Sequence, residues 1–290
     1  MLTRSMARTI SILGAGRVGR TLARQLRKRG WRIAAVVSRS RQSARAAVRA
    51  IGSGKPFSKI TPEAIAADIL LVTTPDSAIL EAARQLAAVG GKKCRGKIVL
   101  HTSGALDHTV LRPLERCGAS TGSLHPMQTF SGRGTPQLKG VIFTLEGDRA
   151  AVRVAEQITR ALGGIPIAIA GKHKPAYHSA GALVAGHGLA LVEAATQVLI
   201  KIGFARQRAY QALLPLIRQM LDNYERIGPQ RAWTGPLSRG DYSTVAKHRK
   251  AMRAHPREFQ QAYAALSLLG ARVLSKKTTV ARAALKKALQ

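Results

Sequence analysis

Thr9-Ile10-Ser11-Ile12-Leu13-Gly14-Ala15-Gly16-Arg17-Val18-Gly19 runs from a short apolar, β-branched segment straight into three spaced glycines. Thr9 to Leu13 reads as a buried strand. Val18, Leu22 and Leu26 then fall on one face of a helix that runs to about Arg29, where Gly30 ends it, and Ile33 to Val37 is a second buried strand. Strand, tight turn, helix and strand within about 30 residues make a βαβ unit. In that setting the first glycine permits the turn, the second lets a ligand approach the backbone, and the third lets helix and strand pack closely. The helix N-terminus adds free N–H groups and the positive end of its dipole, which suit phosphates. Gly14, Ala15, Gly16, Arg17, Val18 and Gly19 are therefore the candidate turn for a dinucleotide.

The end of the second strand distinguishes the nucleotides. A ribose 2′-hydroxyl is usually held by Asp or Glu about 20 residues past the glycines. Here Ser38, Arg39, Ser40 and Arg41 occupy that place, and no carboxylate lies between Gly14 and Glu63. A hydroxyl and guanidinium groups suit a 2′-phosphate, so the cofactor expected is NADP. Thr73, Thr74 and Pro75 follow another strand, at the edge where such sheets bind ligands, and Asp76 is expected to cap the next helix.

Strands and helices continue to alternate. Asp68 to Thr74, Lys97 to His101, Thr121 to Leu124, Val141 to Leu145 and Ile165 to Ala170 read as strands. A helix is expected to open at Asp107 and another to span about 149–162. This order predicts an α/β fold, a doubly wound and mainly parallel Rossmann sheet covered on both faces. After Gly171 the strand pattern stops, and helices are expected over about 174–202, 206–226, 241–253 and 256–274. Two domains follow: 1–170 for the dinucleotide and 171–290, all helical, for substrate and dimerisation. Ser275 to Gln290, with Lys276, Lys277, Arg282, Lys286 and Lys287, reads as a frayed helix or mobile tail.

Composition narrows the function. With 46% hydrophobic residues the chain is globular, and 4% aromatic content leaves its core to Ala, Leu, Val and Ile. The net charge of +33 splits into +17 over residues 1–150 (25 basic less 8 acidic) and +16 over 151–290 (22 less 6). A charge spread so evenly attracts anions at long range but lacks the basic stripe of a specific nucleic-acid binder. Cys94 and Cys117 share no metal-type spacing and fit reduced thiols in the cytoplasm. No run is expected to reach the apolar length of a membrane span, and the basic N-terminus lacks a signal-peptide pattern.

Four strings remain: His101-Thr102-Ser103-Gly104-Ala105-Leu106; Ser123-Leu124-His125-Pro126-Met127-Gln128-Thr129-Phe130; Lys174-x-x-Tyr177-His178; and Thr234-Gly235-Pro236-x-x-Arg239-Gly240-Asp241. In this order they resemble a family of Rossmann-like proteins with a C-terminal helical domain of unknown function (DUF2520). That family is more distantly similar to pyrroline-5-carboxylate reductase, ketopantoate reductase and the β-hydroxyacid dehydrogenases. The resemblance implies the Rossmann fold, NADP, and a homodimer formed through the C-terminal helices. It names no substrate. Gly186 stands where family members carry Asn.

Hydride transfer to a C=O or C=N group needs a proton donor near the nicotinamide. Lys174 and His178, four apart, share one helix face, and related reductases use a Lys-x-x-x-Asn pair in such a place. His125 follows a strand end, and Ser103 with Gly104 follows another, within reach of the nicotinamide amide. Tyr177 reads as a core aromatic, and Asp241 as a helix cap in a loop between helices. The candidate catalytic residues are Lys174, His178, His125 and Ser103. An ammonium and an imidazole facing one cleft would suit a small anionic substrate, and their repulsion would lower the pKa of both. The expected function is an NADP-dependent oxidoreductase acting on a carbonyl or imine. The alternatives are a non-catalytic NADP-binding or sensing protein and a nucleic-acid-associated basic protein.

Overall fold

The computed structural model describes residues 9–132, 134, 136–275, 283, 285, 286, 288 and 289. The chain divides into two compact units, residues 1–185 and 186–290. This division falls later than the change of sequence texture at Gly171, since the first helix of the apolar region packs with the sheet unit.

In the first unit β1 (Thr9–Leu13), α1 (Arg17–Lys28) and β2 (Arg32–Val37) form the expected βαβ element. Next come α2 (Arg41–Ile51), β3 (Lys55–Phe57), β4 (Ile69–Val72), α3 (Asp76–Gly90) and β5 (Ile98–His101). A 3-10 turn (His108–Leu111) and α4 (Arg112–Glu115) lead to β6 (Ser120–Pro126), β7 (Ile142–Gly147), α5 (Arg149–Ala161) and β8 (Ile165–Ala168). The strand order is β3-β2-β1-β4-β5-β6-β7-β8, parallel as far as β6, with β7 antiparallel to β6. Strands of period two send Ile10 and Ile12 to a core with Leu22, Leu26 and Ile158. Leu13 packs on the other face with Leu70, Val72, Ile79 and Leu86.

Two elements were not anticipated. In α2, Ser40 caps the helix by accepting from the Ser43 amide, and Ala44, Ala47 and Ile51 are buried. β3 is only three residues long and carries Pro56, which removes a ladder donor and is tolerated at the sheet edge it occupies. Asp76 is not the cap of α3: Pro75 holds that position and Asp76 is the first helical residue. The helix expected at Asp107 begins as the 3-10 turn, with Asp107 accepting from Thr109 N at 3.0 Å.

α6 (Lys174–Ala182) continues through a π-turn (Leu183–His187) into α7 (Gly188–Lys201). Together with the 3-10 turn before it, this helix, Gly171–Lys201, is long and apolar enough to cross a membrane by length and composition. The expectation that no segment reaches that length is therefore corrected. The cations cluster in its first turns, while Ala, Leu and Val fill the rest.

Among its described residues the second unit holds helices and no strand: α7, α8 (Arg206–Ile227), α9 (Pro229–Ala232), α10 (Pro236–Arg239), α11 (Tyr242–Met252) and α12 (Arg257–Val273). The stretch Thr234 to Asp241 contains α10, and Asp241 caps α11 by accepting from Thr244 N at 3.1 Å. Within the C-terminal stretch, Leu285 is buried in a cluster with Val245 and Ala271. Lys276, Lys277, Arg282 and Lys287 lie outside the described residues.

Candidate active site

β1, β4, β5 and β6 are parallel neighbours, so their C-terminal ends share one edge of the sheet. The strand order reverses between β1 and β4, and ligands bind in the crevice outside such a switch point. The candidate residues of the sheet are gathered along this edge.

Gly14 has φ +94°, in the left-handed region, and a Cβ there would lie 2.7 Å from the Thr74 amide nitrogen. A Cβ on Gly19 would lie 2.4 Å from Thr73 Oγ1. Gly16 is different, for nothing lies within 4 Å of the space its Cβ would fill. It is the N-cap of α1, and no side chain caps the helix. First-turn N–H groups without side-chain partners, behind an open glycine, fit a pyrophosphate. Ala15 and Val18 pack against the core and support the turn. The Arg17 guanidinium donates to the Phe130 carbonyl at 3.4 Å.

The two threonines divide their roles. Thr73 Oγ1 donates to Gly14 O at 2.6 Å and so braces the turn, and is not a free ribose contact. Thr74 Oγ1 is buried without a hydrogen-bond partner, and Thr74 lines a cavity of about 240 Å³. Ser38, Arg39, Ser58 and Lys59 line the same cavity, at the place predicted for a 2′-phosphate. Glu81 stands on its α3 wall and accepts from Gln85 Nε2 at 2.9 Å. Lys59 and Ser58 escaped the sequence reading because β3, the strand before them, is too short and proline-broken to recognise.

The second cluster forms where β6 outruns β5. His101 pairs with Ser123, so Leu124, His125 and Pro126 extend beyond the end of β5 and pair with β7 alone. Ser123 and His125 are two residues apart and share one strand face. From α6, Lys174, Tyr177 and His178 share one helix face and meet them. Tyr177 Oη and His125 Nδ1 share a hydrogen bond of 2.9 Å. The His125 and His178 rings stand edge to face, 5.7 Å apart. Both lean on Gly104, where a Cβ would lie 2.5 Å from His178 Cδ2 and 2.7 Å from His125 Nε2. Tyr177 is therefore more than the core aromatic it was taken for.

Two expectations change. Lys174 is fully buried, and its Nζ donates to Ser103 O at 3.0 Å and Ser123 Oγ at 2.8 Å. It clamps two strand ends together and does not reach the crevice as a proton donor. Burial pushes its ammonium down to about 8, against the pull of Glu146, Asp107 and Asp76, so repulsion from His178 is not the cause. Ser103 Oγ is fully engaged: it donates to Asp76 Oδ2 at 2.7 Å and accepts from the amides of Ala105 and Leu106. It has no donor left for a nicotinamide. Asp76, missed as a member of this cluster, is found only through that bond.

His125 and His101 are held neutral. Burial, then the Lys174 charge, then His178, push His125 down to about 4. His101, buried beneath it, is pushed down to about 3 by burial first and Lys174 second, and its Nδ1 accepts from Ser103 N at 3.2 Å. His125 and His178 open onto a cavity of about 510 Å³ walled by Met127, Gly181 and their neighbours. Lys174 is not among its lining residues.

Residues 3–126 match the Rossmann-like domain, and residues 141–269 match the Domain of unknown function (DUF2520). The chain is a Rossmann-like protein with a C-terminal DUF2520 domain. The Rossmann-like match ends just past His125, and the DUF2520 match contains Lys174, Tyr177 and His178. The cluster of this Rossmann–DUF2520 protein thus draws on both. No curated protein matches the chain. Among solved structures it is similar to the Bacteroides fragilis protein BF3122, assigned as an NADP oxidoreductase. That likeness has 23% identity and a TM-score of 0.76, over 90% of this chain and 96% of that one. A reductive aminase from Aspergillus terreus, in complex with NADPH and ethyl-5-oxohexanoate, has 20% identity and a TM-score of 0.68 over 92% and 94% of the two chains. A pyrroline-5-carboxylate reductase from Coxiella burnetii has 15% identity and a TM-score of 0.59 over 93% and 100%. At these identities the likeness is one of fold.

The depressed histidines fix a pH dependence. A histidine whose folded pKa lies below its unfolded value binds more protons when unfolded, so stability is lost as pH falls through that window. For this protein the window runs from 6.5 down to about 4 for His125 and about 3 for His101. Each contributes a loss on the order of 3 kcal/mol by pH 4. Thermal melts of the wild type should fall steeply below pH 6.5, and His101→Gln should flatten that fall. Parallel curves for the two proteins would contradict the assignment.

Proposed function

We propose that the chain is an NADPH-dependent reductase of a carbonyl or imine compound. The observation that carries this reading is a dinucleotide cradle at the end of β1, with no acid at the end of β2, on the same sheet edge as the His125–Tyr177–His178 cluster at the end of β6. Bound NADPH supplies the hydride. The first-turn amides of α1 hold its pyrophosphate, with Gly16 leaving room. Ser38, Arg39 and Lys59 hold the 2′-phosphate, and Thr74 Oγ1 gains the partner it lacks.

The protein's own proton step follows from the ring chemistry. With the Tyr177 phenol donating to Nδ1, the neutral His125 ring carries its proton on Nε2. Nε2–H donates to the substrate oxygen or nitrogen as that atom gains electron density. Nδ1 then takes the Tyr177 proton, and the phenolate recovers one from solvent. Burial pushes the Tyr177 phenol up, so it stays protonated until the ring demands the proton.

Titration with NADPH and NADH tests the cradle. NADPH should bind more tightly, and Arg39→Ala and Lys59→Ala should each weaken it about tenfold with NADH unchanged, the loss of one charge-assisted bond. Equal affinity for the two nucleotides would sink the 2′-phosphate site.

Consumption of NADPH across a panel of ketones, aldehydes and imines tests the cluster. Tyr177→Phe should lower kcat about 100-fold and leave NADPH affinity within about twofold. Gly104→Ala, whose new methyl group falls against both histidine rings, should act in the same direction. NADPH binding with no consumption on any compound would favour a non-catalytic sensing protein. At Gly186 a Cβ would meet nothing within 4 Å.

We further infer a homodimer. Within residues 186–290, Leu189, Leu216, Met220, Leu221 and Tyr224 are exposed, and a second copy would cover them. Light scattering at micromolar concentration should give twice the chain mass, and Met220→Glu with Leu221→Glu should return it to one.

A further inference from the structure

The cavity beside His125 and His178 indicates the kind of molecule to be reduced. Its volume of about 510 Å³ suits a small organic compound. One wall is the segment after β6, with Met127, Gln128 and Thr129; the other is the last turns of α6 and the π-turn, from Ala180 to Ala185. Among the described residues no Lys, Arg, Asp or Glu lines it, and its surface is mainly carbon. Lys174 is buried and spent on Ser103 O and Ser123 Oγ. A carboxylate brought here would lose its water and find no charged partner among the described lining residues, which is costly.

The wall is also shaped. A Cβ on Gly181 would lie 2.9 Å from Met127 Sδ, so Gly181 lets the helix and the β6 segment approach across the cavity. A mid-helix glycine is less favourable than Ala, so its presence marks the close approach. Small residues at 180, 181, 182 and 185 leave room where larger ones would fill it. The π-turn that begins one residue after Ala182 widens the helix there, and such turns recur at functional sites.

We propose that this cavity takes the apolar substituent of an uncharged carbonyl or imine compound, with the reacting C=O or C=N group at His125. The proposal rests on the reductase reading and replaces the anionic substrate expected from sequence. Its geometry orients the compound. The apolar substituent lies along Met127 and Gly181, and the polar group points to the strand ends, where the neutral His125 ring can donate.

A matched pair of probes tests it: methyl 4-acetylcyclohexanecarboxylate and the corresponding free acid, ionised at pH 8. Isothermal titration of the full chain saturated with NADPH should give the ester a Kd at least tenfold below that of the acid. Gly181→Leu should weaken ester binding at least tenfold and leave NADPH affinity within about twofold. Should Gly181→Leu lose its thermal transition, Ala185→Phe at the far end of the same wall is measured in its place. Tighter binding of the acid, binding of neither probe, or an ester Kd unmoved by the filled cavity would overturn the proposal. Ester binding without NADPH consumption would leave the cavity assignment standing and remove the reductase reading. Consumption that favours the acid would do the reverse.

Discussion

One buried charge organises the site. The Lys174 ammonium has no contact with water, and two oxygens, Ser103 O and Ser123 Oγ, take its hydrogen bonds at 3.0 and 2.8 Å. A buried cation stripped of either partner would be strongly destabilising, so the ends of β5 and β6 are held in place by the need to satisfy it. Glu146, Asp107 and Asp76 supply the opposing charge. Asp76 is tied in through Ser103 Oγ, which also fixes the turn after His101. The first turn of α6 is thus bound to the sheet by charge, and the next turn presents Tyr177 and His178.

The same charge governs the histidines. Lys174 follows burial among the causes that hold His101 and His125 below their ordinary range. Burial first, and a cation outside the cavity lining second, therefore keep the His125 ring neutral. The cavity owes its polarity to His125, His178, Gln128 and Thr129, and the rest of its wall to Met, Ala, Val and Gly. Among the described residues, none of the lysines and arginines behind the net charge of +33 lines it.

Much of this was legible in the sequence. The glycine turn, the absent carboxylate and the strand–helix alternation gave the Rossmann architecture, since each reflects a local constraint: a tight turn, a phosphate partner, a two-sided core. His125 and His178 were found for the same kind of reason, as residues at a strand end and on a helix face. The direction of Lys174 was not legible, because a lysine four residues from a histidine looks alike whether its ammonium points outward or into the sheet. Ser103 and Thr73 looked free for the same reason. Their hydroxyls are consumed by Asp76 and Gly14, partners set by the pairing of strands and not by spacing along the chain. Tyr177, Lys59 and the cavity wall at Gly181 needed tertiary structure, since none carries a mark that separates it from ordinary core or surface residues.

The overrun of β6 past β5 sets what evolution or an engineer can alter here. Ser123 and His125 obey the two-residue repeat of a strand, and Lys174, Tyr177 and His178 the 3.6-residue repeat of a helix. A single insertion between Ser123 and His125 would turn the imidazole to the opposite face of the sheet. One between Lys174 and Tyr177 would swing the phenol about 100° around the helix. By contrast, the exposed part of the segment between Met127 and Val141 has no such periodicity to keep and tolerates changes of length. The two short spacings, Ser-x-His and Lys-x-x-Tyr-His, must therefore be inherited together as one unit, while length can vary only in the exposed stretch after β6 and not in β7, α5 or β8.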